Sequence, residues 1–444
     1  MTLKMSFSVL PEIEIEEKLC GFDFTLKWLL DSLMKNDKLF KKFSEAKTLK
    51  RLETKDVSEG KGMFSTVLKV ELFFVNEKKE DEEVYTTILK IPGVESFKAI
   101  MEEGKDVEEL KFGGNSLTPA IIQMHDIECD FYNLVAPLIP DFVPRVYYAQ
   151  RWIKDIHQGC LHMEDLSPRG KNMYYFNTLT VPQFKNVIDA LAFFHSRLMN
   201  LEESEWRGKF VPPRNVFSHV IGFVQEMSPK FLDITKSGKK ELTELYFNEK
   251  IQKILNNQEF IDFAFFESHL KIGLPTLLVH ADLWASNIMF KIDSEGNFTD
   301  ELVALLDWQC LREGNWMLDF VKLTTCSLDG DIRREMEETI FDFYISKLRT
   351  YLQRDPGFTA IQMKKSYEFY FLAHLGYATT MPGAIFGAIK ATNAPKDTVT
   401  TNGSSATSES RLDEARIDRC TLRAIHAYED ALILLDSGEY DEWL

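Results

Sequence analysis

The segment VHADLWASNIMF sets His280, Asp282 and Asn287 in the order His-x-Asp-x4-Asn. A carboxylate and an amide at this separation can divide two tasks. One faces a hydroxyl and takes its proton, and the other offers an oxygen to a hard divalent cation held by phosphates. The spacing is that of a phosphotransferase catalytic loop. Read more plainly, the same residues are a strand-to-turn segment whose Asp and Asn cap backbone groups. Twenty residues beyond Asn287, LVALLDWQ is an apolar strand ending in Asp307, a carboxylate suited to Mg²⁺.

Upstream lie the residues that could meet a nucleotide. Gly60 and Gly62 in SEGKGMFSTVLKVEL would let backbone N–H groups approach phosphates, or else belong to an ordinary hairpin. Lys90 ends the apolar strand TTILK, where a buried ammonium needs an anionic partner. It resembles the lysine that grips α- and β-phosphates. Glu128, in the helical segment HDIECDFYNLV, is the partner proposed for it, although each residue alone could be a solvated charge. In LHMEDLSP, Met163 fits behind an adenine, with backbone groups of Glu164 and Leu166 bonding its edge.

Elements must position these residues. Apolar spacing predicts an amphipathic helix over 22–43. GMFSTVLKVELFF and VYTTILKI read as an antiparallel strand pair joined by the charged turn NEKKEDEE. A helix is expected over 119–139, then strands in VPRVYYAQRWI and GCLHMEDL. Beyond LSPRG the pattern turns helical (181–200, 248–270, 335–353), interrupted by the strands TLLVH, NIMFKI and LVALLDW. A β-rich domain over 1–165 followed by an α-rich domain over 166–444 is the expectation, with 391–410 a mobile loop.

Composition narrows the function classes. With 52 Lys+Arg against 69 Asp+Glu the net charge is −17, which repels nucleic-acid backbones, and no basic stripe offsets it. Six scattered cysteines without a CxxC pair fit free thiols in a reducing, cytoplasmic setting. Glu12, Glu14, Glu16 and Glu17 interrupt any apolar leader. The charge-free run 369–389 is long enough to span a bilayer. Its His, Pro, Thr and Gly content instead predicts a buried helix and then a loop.

Taken in order, the Gly-rich hairpin, Lys90, Glu128, MEDL, HADLWASNIMF and LLDWQ resemble the CHK-kinase-like family of nematodes and arthropods. That group includes ecdysteroid-kinase-like enzymes and is related to choline kinases and aminoglycoside phosphotransferases. The resemblance runs from about residue 20 to 440. It implies an α+β, bilobal, protein-kinase-like fold with a small β-rich N-lobe and a larger helical C-lobe. The implied activity moves the γ-phosphate of ATP, with Mg²⁺, to a hydroxyl of a small molecule of steroid, sugar or amino-alcohol type. Lys90 and Glu128 would hold phosphates, Asn287 and Asp307 the metal, and Asp282 the acceptor hydroxyl. Asp319 would tether the catalytic loop from beneath. Ala281 replaces the Arg of His-Arg-Asp, Asp307-Trp308-Gln309 replaces Asp-Phe-Gly, and no Ala-Pro-Glu follows, so a peptide-binding platform is missing. A nucleotide-binding pseudokinase stays open as the non-enzymatic alternative. Trp284, Trp308 and Trp316 line an acceptor pocket or pack the core, and His195 reads as a core histidine.

Overall fold

The computed structural model describes residues 6–58, 64–76, 79–93, 111–112, 115–211, 218–392 and 408–444. The chain forms two compact units: one runs to Arg169, and the other comprises Gly170–Leu444 with Lys111–Asn115. This is an α+β protein, divided into a β-rich part and a mainly helical part.

The first unit is built on a six-stranded sheet in the order β1-β2-β3-β4-β8-β7. Its strands are β1 (Ser8–Val9), β2 (Lys47–Asp56), β3 (Ser65–Asn76), β4 (Lys79–Pro92), β7 (Val146–Gln150) and β8 (Cys160–Glu164). The helix Leu117–Asp130 follows two short strands, β5 (Lys111–Phe112) and β6 (Asn115–Ser116), of which Lys111–Asn115 is grouped with the second unit. On β3 every second residue, Leu68, Val70, Leu72 and Phe74, is buried, the period-2 alternation of a half-buried strand. These side chains share one core with Leu29, Leu30, Leu33 and Phe40.

Two expectations change here, and one strand was not foreseen. The helix expected over 22–43 is two, Leu26–Asn36 and Lys38–Ser44. Asp37 breaks it: the residue is extended, and its carboxylate accepts the Leu39 N–H at 2.9 Å as an N-cap. The charged segment NEKKEDEE is mostly strand, since β4 starts at Lys79 and carries Glu82 and Glu83 opposite β3. β2 had no apolar signature because its sequence, KTLKRLETKD, is charged; Arg51 pairs with Glu82 at 2.8 Å and Lys47 with Glu83 at 2.9 Å. The expected glycine hairpin, Gly60 and Gly62, lies outside the described residues.

The second unit is mainly helical, with two small sheets that carry the segments around His280, Asn287 and Asp307. β9 (Gly170–Asn172), β11 (Ile288–Ile292) and β12 (Phe298–Leu305) form an antiparallel sheet with β11 in the middle. β10 (Leu277–Val279) pairs antiparallel with β13 (Arg312–Gly314). A capping box of Thr180 and Gln183 starts the helix Val181–Leu198. All residues of the helix Met317–Ser327 are buried.

The helix expected over 248–270 is three: Glu249–Leu255, Gln258–Phe266 and Ser268–Ile272. Asn248 caps the first and Asn257 the second by accepting backbone N–H groups, and the third starts after Glu267 without a side-chain cap. Likewise 335–353 divides into the end of Gly330–Glu337 and Ile340–Leu352. The charge-free run is not a helix and a loop but parts of two helices, Ala360–His374 and Tyr377–Thr392, the second containing Pro382. That helix and Ser408–Asp436 occupy the two ends of the expected 391–410 loop, and 393–407 lies outside the described residues. Among the described residues no helix is long and apolar enough to cross a membrane.

Candidate active site

In the first unit Lys90 lies on β4 in register with Val67 of β3 and Leu161 of β8. Its ammonium meets both oxygens of Glu128, at 2.8 and 2.7 Å. The lysine side chain is 13% exposed and the glutamate 2%. Removing one partner of a pair so enclosed leaves an uncompensated charge, a loss of roughly 3–5 kcal/mol.

Downstream of β8 the chain turns through EDLSP under local control. Asp165 accepts the Ser167 N–H at 2.8 Å and pairs with Lys69 at 3.3 Å, and the Arg169 N–H donates to Leu166 at 2.8 Å. Met163 is buried, its carbonyl accepting the Thr87 hydroxyl at 2.9 Å. The Glu164 N–H donates to the Arg145 carbonyl at 3.0 Å, so an adenine contact from this residue would have to use its carbonyl.

In the second unit β10 leads into His280, Ala281 and Asp282. Asp319 is fully buried and accepts the N–H groups of His280 at 2.9 Å and Ala281 at 2.8 Å. The tether read from sequence is thus present. Burial nonetheless pushes the Asp319 carboxyl up to about 7, against the pull of these two N–H groups. Ala281 sits at φ 67, a left-handed conformation that costs a residue with a Cβ about 1–3 kcal/mol and that clusters at functional sites. Asp307 shares it at φ 63.

Two bonds fix the His280 ring. Its Nε2 donates to the Leu306 carbonyl at 2.9 Å, and its Nδ1 accepts the Asp282 N–H at 3.2 Å. This needs the neutral imidazole, and burial holds the group at about 4.

Asp282 is held from two sides. Asn287 donates its amide to the Asp282 carbonyl at 2.9 Å and to Oδ2 at 3.0 Å, while Lys322 meets Oδ1 at 2.5 Å. Burial raises the Asp282 carboxyl, but Lys322 more than offsets it and the net shift is downward. For Lys322 burial acts downward, and Asp282 again prevails.

Asn287 therefore spends its nitrogen on Asp282 and has Oδ1 to offer a cation. β11 pairs Ile288 with Leu305, and the Leu306 N–H donates to the Asn287 carbonyl at 2.8 Å. Asn287 and Asp307 consequently flank the same end of that ribbon. One amide and one carboxylate oxygen suit Mg²⁺, which takes few protein ligands and completes its octahedron with phosphates and water. Among the described residues no group of three His, Cys, Asp or Glu side chains could hold a metal by itself.

Lys322 went unread in the sequence. The signal was there: one lysine, three residues after Asp319, inside the otherwise apolar run WMLDFVKLTTC. The tryptophans divide. Trp308 and Trp316 are fully buried, donating to the Leu305 carbonyl at 3.0 Å and the Pro275 carbonyl at 3.1 Å, so they are core rather than pocket. His195 is also core, with Nδ1 bonded to the Tyr344 hydroxyl at 2.7 Å.

The chain belongs to the family DUF1679, described as "Uncharacterized oxidoreductase dhs-27", whose family model matches residues 35–408. It is 25% identical to the protein of that name from Caenorhabditis elegans over 70% of this chain, which corresponds to only 37% of the relative's length. It is 22% identical to an "Uncharacterized kinase-like protein D1044.1" from the same organism, over 67% of this chain and 73% of the other. Among solved structures it is similar to choline kinase from Cryptosporidium parvum Iowa II, at 12% identity, covering 92% of this chain and 96% of that one, with a TM-score of 0.48.

Proposed function

We propose that this chain is an ATP-dependent phosphotransferase acting on a hydroxyl of a small molecule, and that it stands with the CHK-kinase-like enzymes. The observation that carries the reading is Asp282, a partly buried carboxylate held by Lys322 and by the amide of Asn287, beside the strand end that bears Asp307. The kinase-like relative adds support. The word oxidoreductase stands in the family's description and in the name of a relative of which this chain matches 37%.

In this reading Lys90, fixed by Glu128, contacts the α- and β-phosphates, and backbone groups near Met163, Glu164 and Leu166 meet the adenine. Gly60 and Gly62 would cover the phosphates. Asn287 and Asp307 would hold Mg²⁺, which neutralises phosphate charge when bound. The acceptor oxygen forms a bond to the γ-phosphorus as the bond to the β,γ-bridging oxygen breaks. ADP leaves, and the hydroxyl proton passes to Asp282. Lys322 keeps that carboxylate ionised and oriented until then.

The two aspartates give the test. Asp307→Ala should weaken MgATP binding and abolish turnover, because a metal ligand is lost. Asp282→Ala should leave MgATP binding nearly intact while turnover falls by roughly 10²–10⁴-fold, the scale of a lost general base. Calorimetric titration of MgATP into both variants, alongside turnover, reads this. Equal loss of nucleotide affinity in both would show that the roles are not distinct.

A further inference from the structure

Beside the Asp282–Lys322 pair lies a buried imidazole that the proposed chemistry does not use. His374 ends the helix Ala360–His374, is 3% exposed, and has no hydrogen-bond partner at either ring nitrogen. A buried donor and acceptor left unmet are costly to the fold, and a site that binds a ligand is where such a cost is tolerated.

The neighbours of His374 say which ligand. The Tyr377 ring is stacked on it at 4.0 Å and 13°, and the Lys322 ammonium lies 5.4 Å from the Tyr377 centroid. The Tyr370 ring stands 6.5 Å from the imidazole, and its hydroxyl accepts from Arg312 Nη2 at 3.1 Å. Of the charged groups nearby, Asp282 is matched by Lys322, and the Asp319 carboxylate is spent on two backbone N–H groups. Burial, reinforced by Lys322 and Arg312, keeps the imidazole neutral, so it presents one N–H and one lone pair. Because Lys322 is matched by Asp282, the further cation that an acceptor would face here is the Arg312 guanidinium beside the Tyr370 hydroxyl. An oxygen group bearing negative charge would be attracted to it and could accept from the imidazole.

We propose that His374, Tyr377, Arg312 and Lys322 form the acceptor subsite, and that it selects a hydroxy compound carrying a carboxylate or phosphate group over a cationic amino alcohol. The proposal rests on the phosphotransferase reading of Asp282, and the experiment separates the two. ADP release is measured with MgATP and either hydroxy acids, sugar phosphates or quaternary amino alcohols, for the wild type, His374→Leu and His374→Gln. Melting temperature is recorded with and without MgATP.

An oxyanion-bearing acceptor should be used with kcat/KM at least about tenfold above any amino alcohol, and the two acidic arms tell carboxylate from phosphate. His374→Leu should raise the melting temperature by roughly 2 °C, because an unmet polar group is gone. It should also raise the acceptor KM about tenfold or more with kcat changed far less, and His374→Gln should recover part of that loss. A MgATP-induced melting shift should persist in all three proteins. His374→Leu that melts lower with an unchanged acceptor KM would make His374 purely structural, and amino-alcohol preference with an intact MgATP shift would overturn the subsite alone. Wild type that shows no MgATP shift overturns the phosphotransferase reading, and this inference with it.

Discussion

Lys90 and Asp282 each sit in an ion pair within their own unit, Lys90 with Glu128 and Asp282 with Lys322. The first pairing was legible because a lysine closing an apolar strand calls for a carboxylate, and a helix follows that supplies one. The second was not, because the carboxylate nearest Lys322 in sequence is Asp319, and only the fold brings Asp282 to it. Lys90→Met keeps the apolar stem and removes the charge. Turnover should fall severely while the protein still folds, with a lowered melting temperature because Glu128 is left without its cation, and Glu128→Gln should do the same more mildly. Retention of most activity in Lys90→Met, measured as ADP release, would make that lysine incidental.

At the scale of elements, the strands were read where apolar and polar residues alternate, as on β3, and missed where charge covers both faces, as on β2. Helices were located but run together, because periodicity persists across a break made by one capping Asp or Asn. The loop proposed as catalytic depends on such a local device, the Asp319 carboxylate beneath His280 and Ala281. Asp319→Asn keeps one acceptor and turns an amide nitrogen toward the other N–H. That should destabilise the protein by about 1–3 kcal/mol. Since burial lifts the carboxyl from 3.8 to about 7, the folded state binds its proton more tightly than the unfolded state does. The wild type should therefore lose stability relative to Asp319→Asn as pH rises from about 4 to about 7. Denaturant titrations of both proteins at several pH values give the comparison, and a pH-independent difference would mean that Asp319 is ionised throughout.

Across the whole molecule, other titrations run opposite to Asp319. Burial depresses His162 and His195 to about 3, and His269 and His280 to about 4. Below their ordinary value of 6.5 these residues bind protons in the unfolded chain while staying neutral in the fold. Stability should fall as pH drops from about 6.5 toward 4, and four such groups outweigh the single rise from Asp319. Melting temperatures over that range should decline steeply; a flat profile would show that the histidines are solvated. The division into a β-rich and a helical unit was legible from the change of period near LSPRG, where Arg169 ends the first unit. The acceptor was not legible, because the residues proposed for it come from β13 and three helices, far apart in sequence.

The central claim is phosphoryl transfer, and the measurement closest to it follows the phosphoryl group itself. Wild-type protein and Asp282→Asn are incubated with γ-labelled ATP, Mg²⁺ and a metabolite extract, and labelled products are separated and identified. The wild type should place label on the hydroxyl oxygen of a small molecule, and Asp282→Asn should do so roughly 10²–10⁴-fold more slowly. Wild-type protein that binds MgATP yet transfers no label to any molecule in the extract would contradict the account, and would leave a nucleotide-binding protein without turnover.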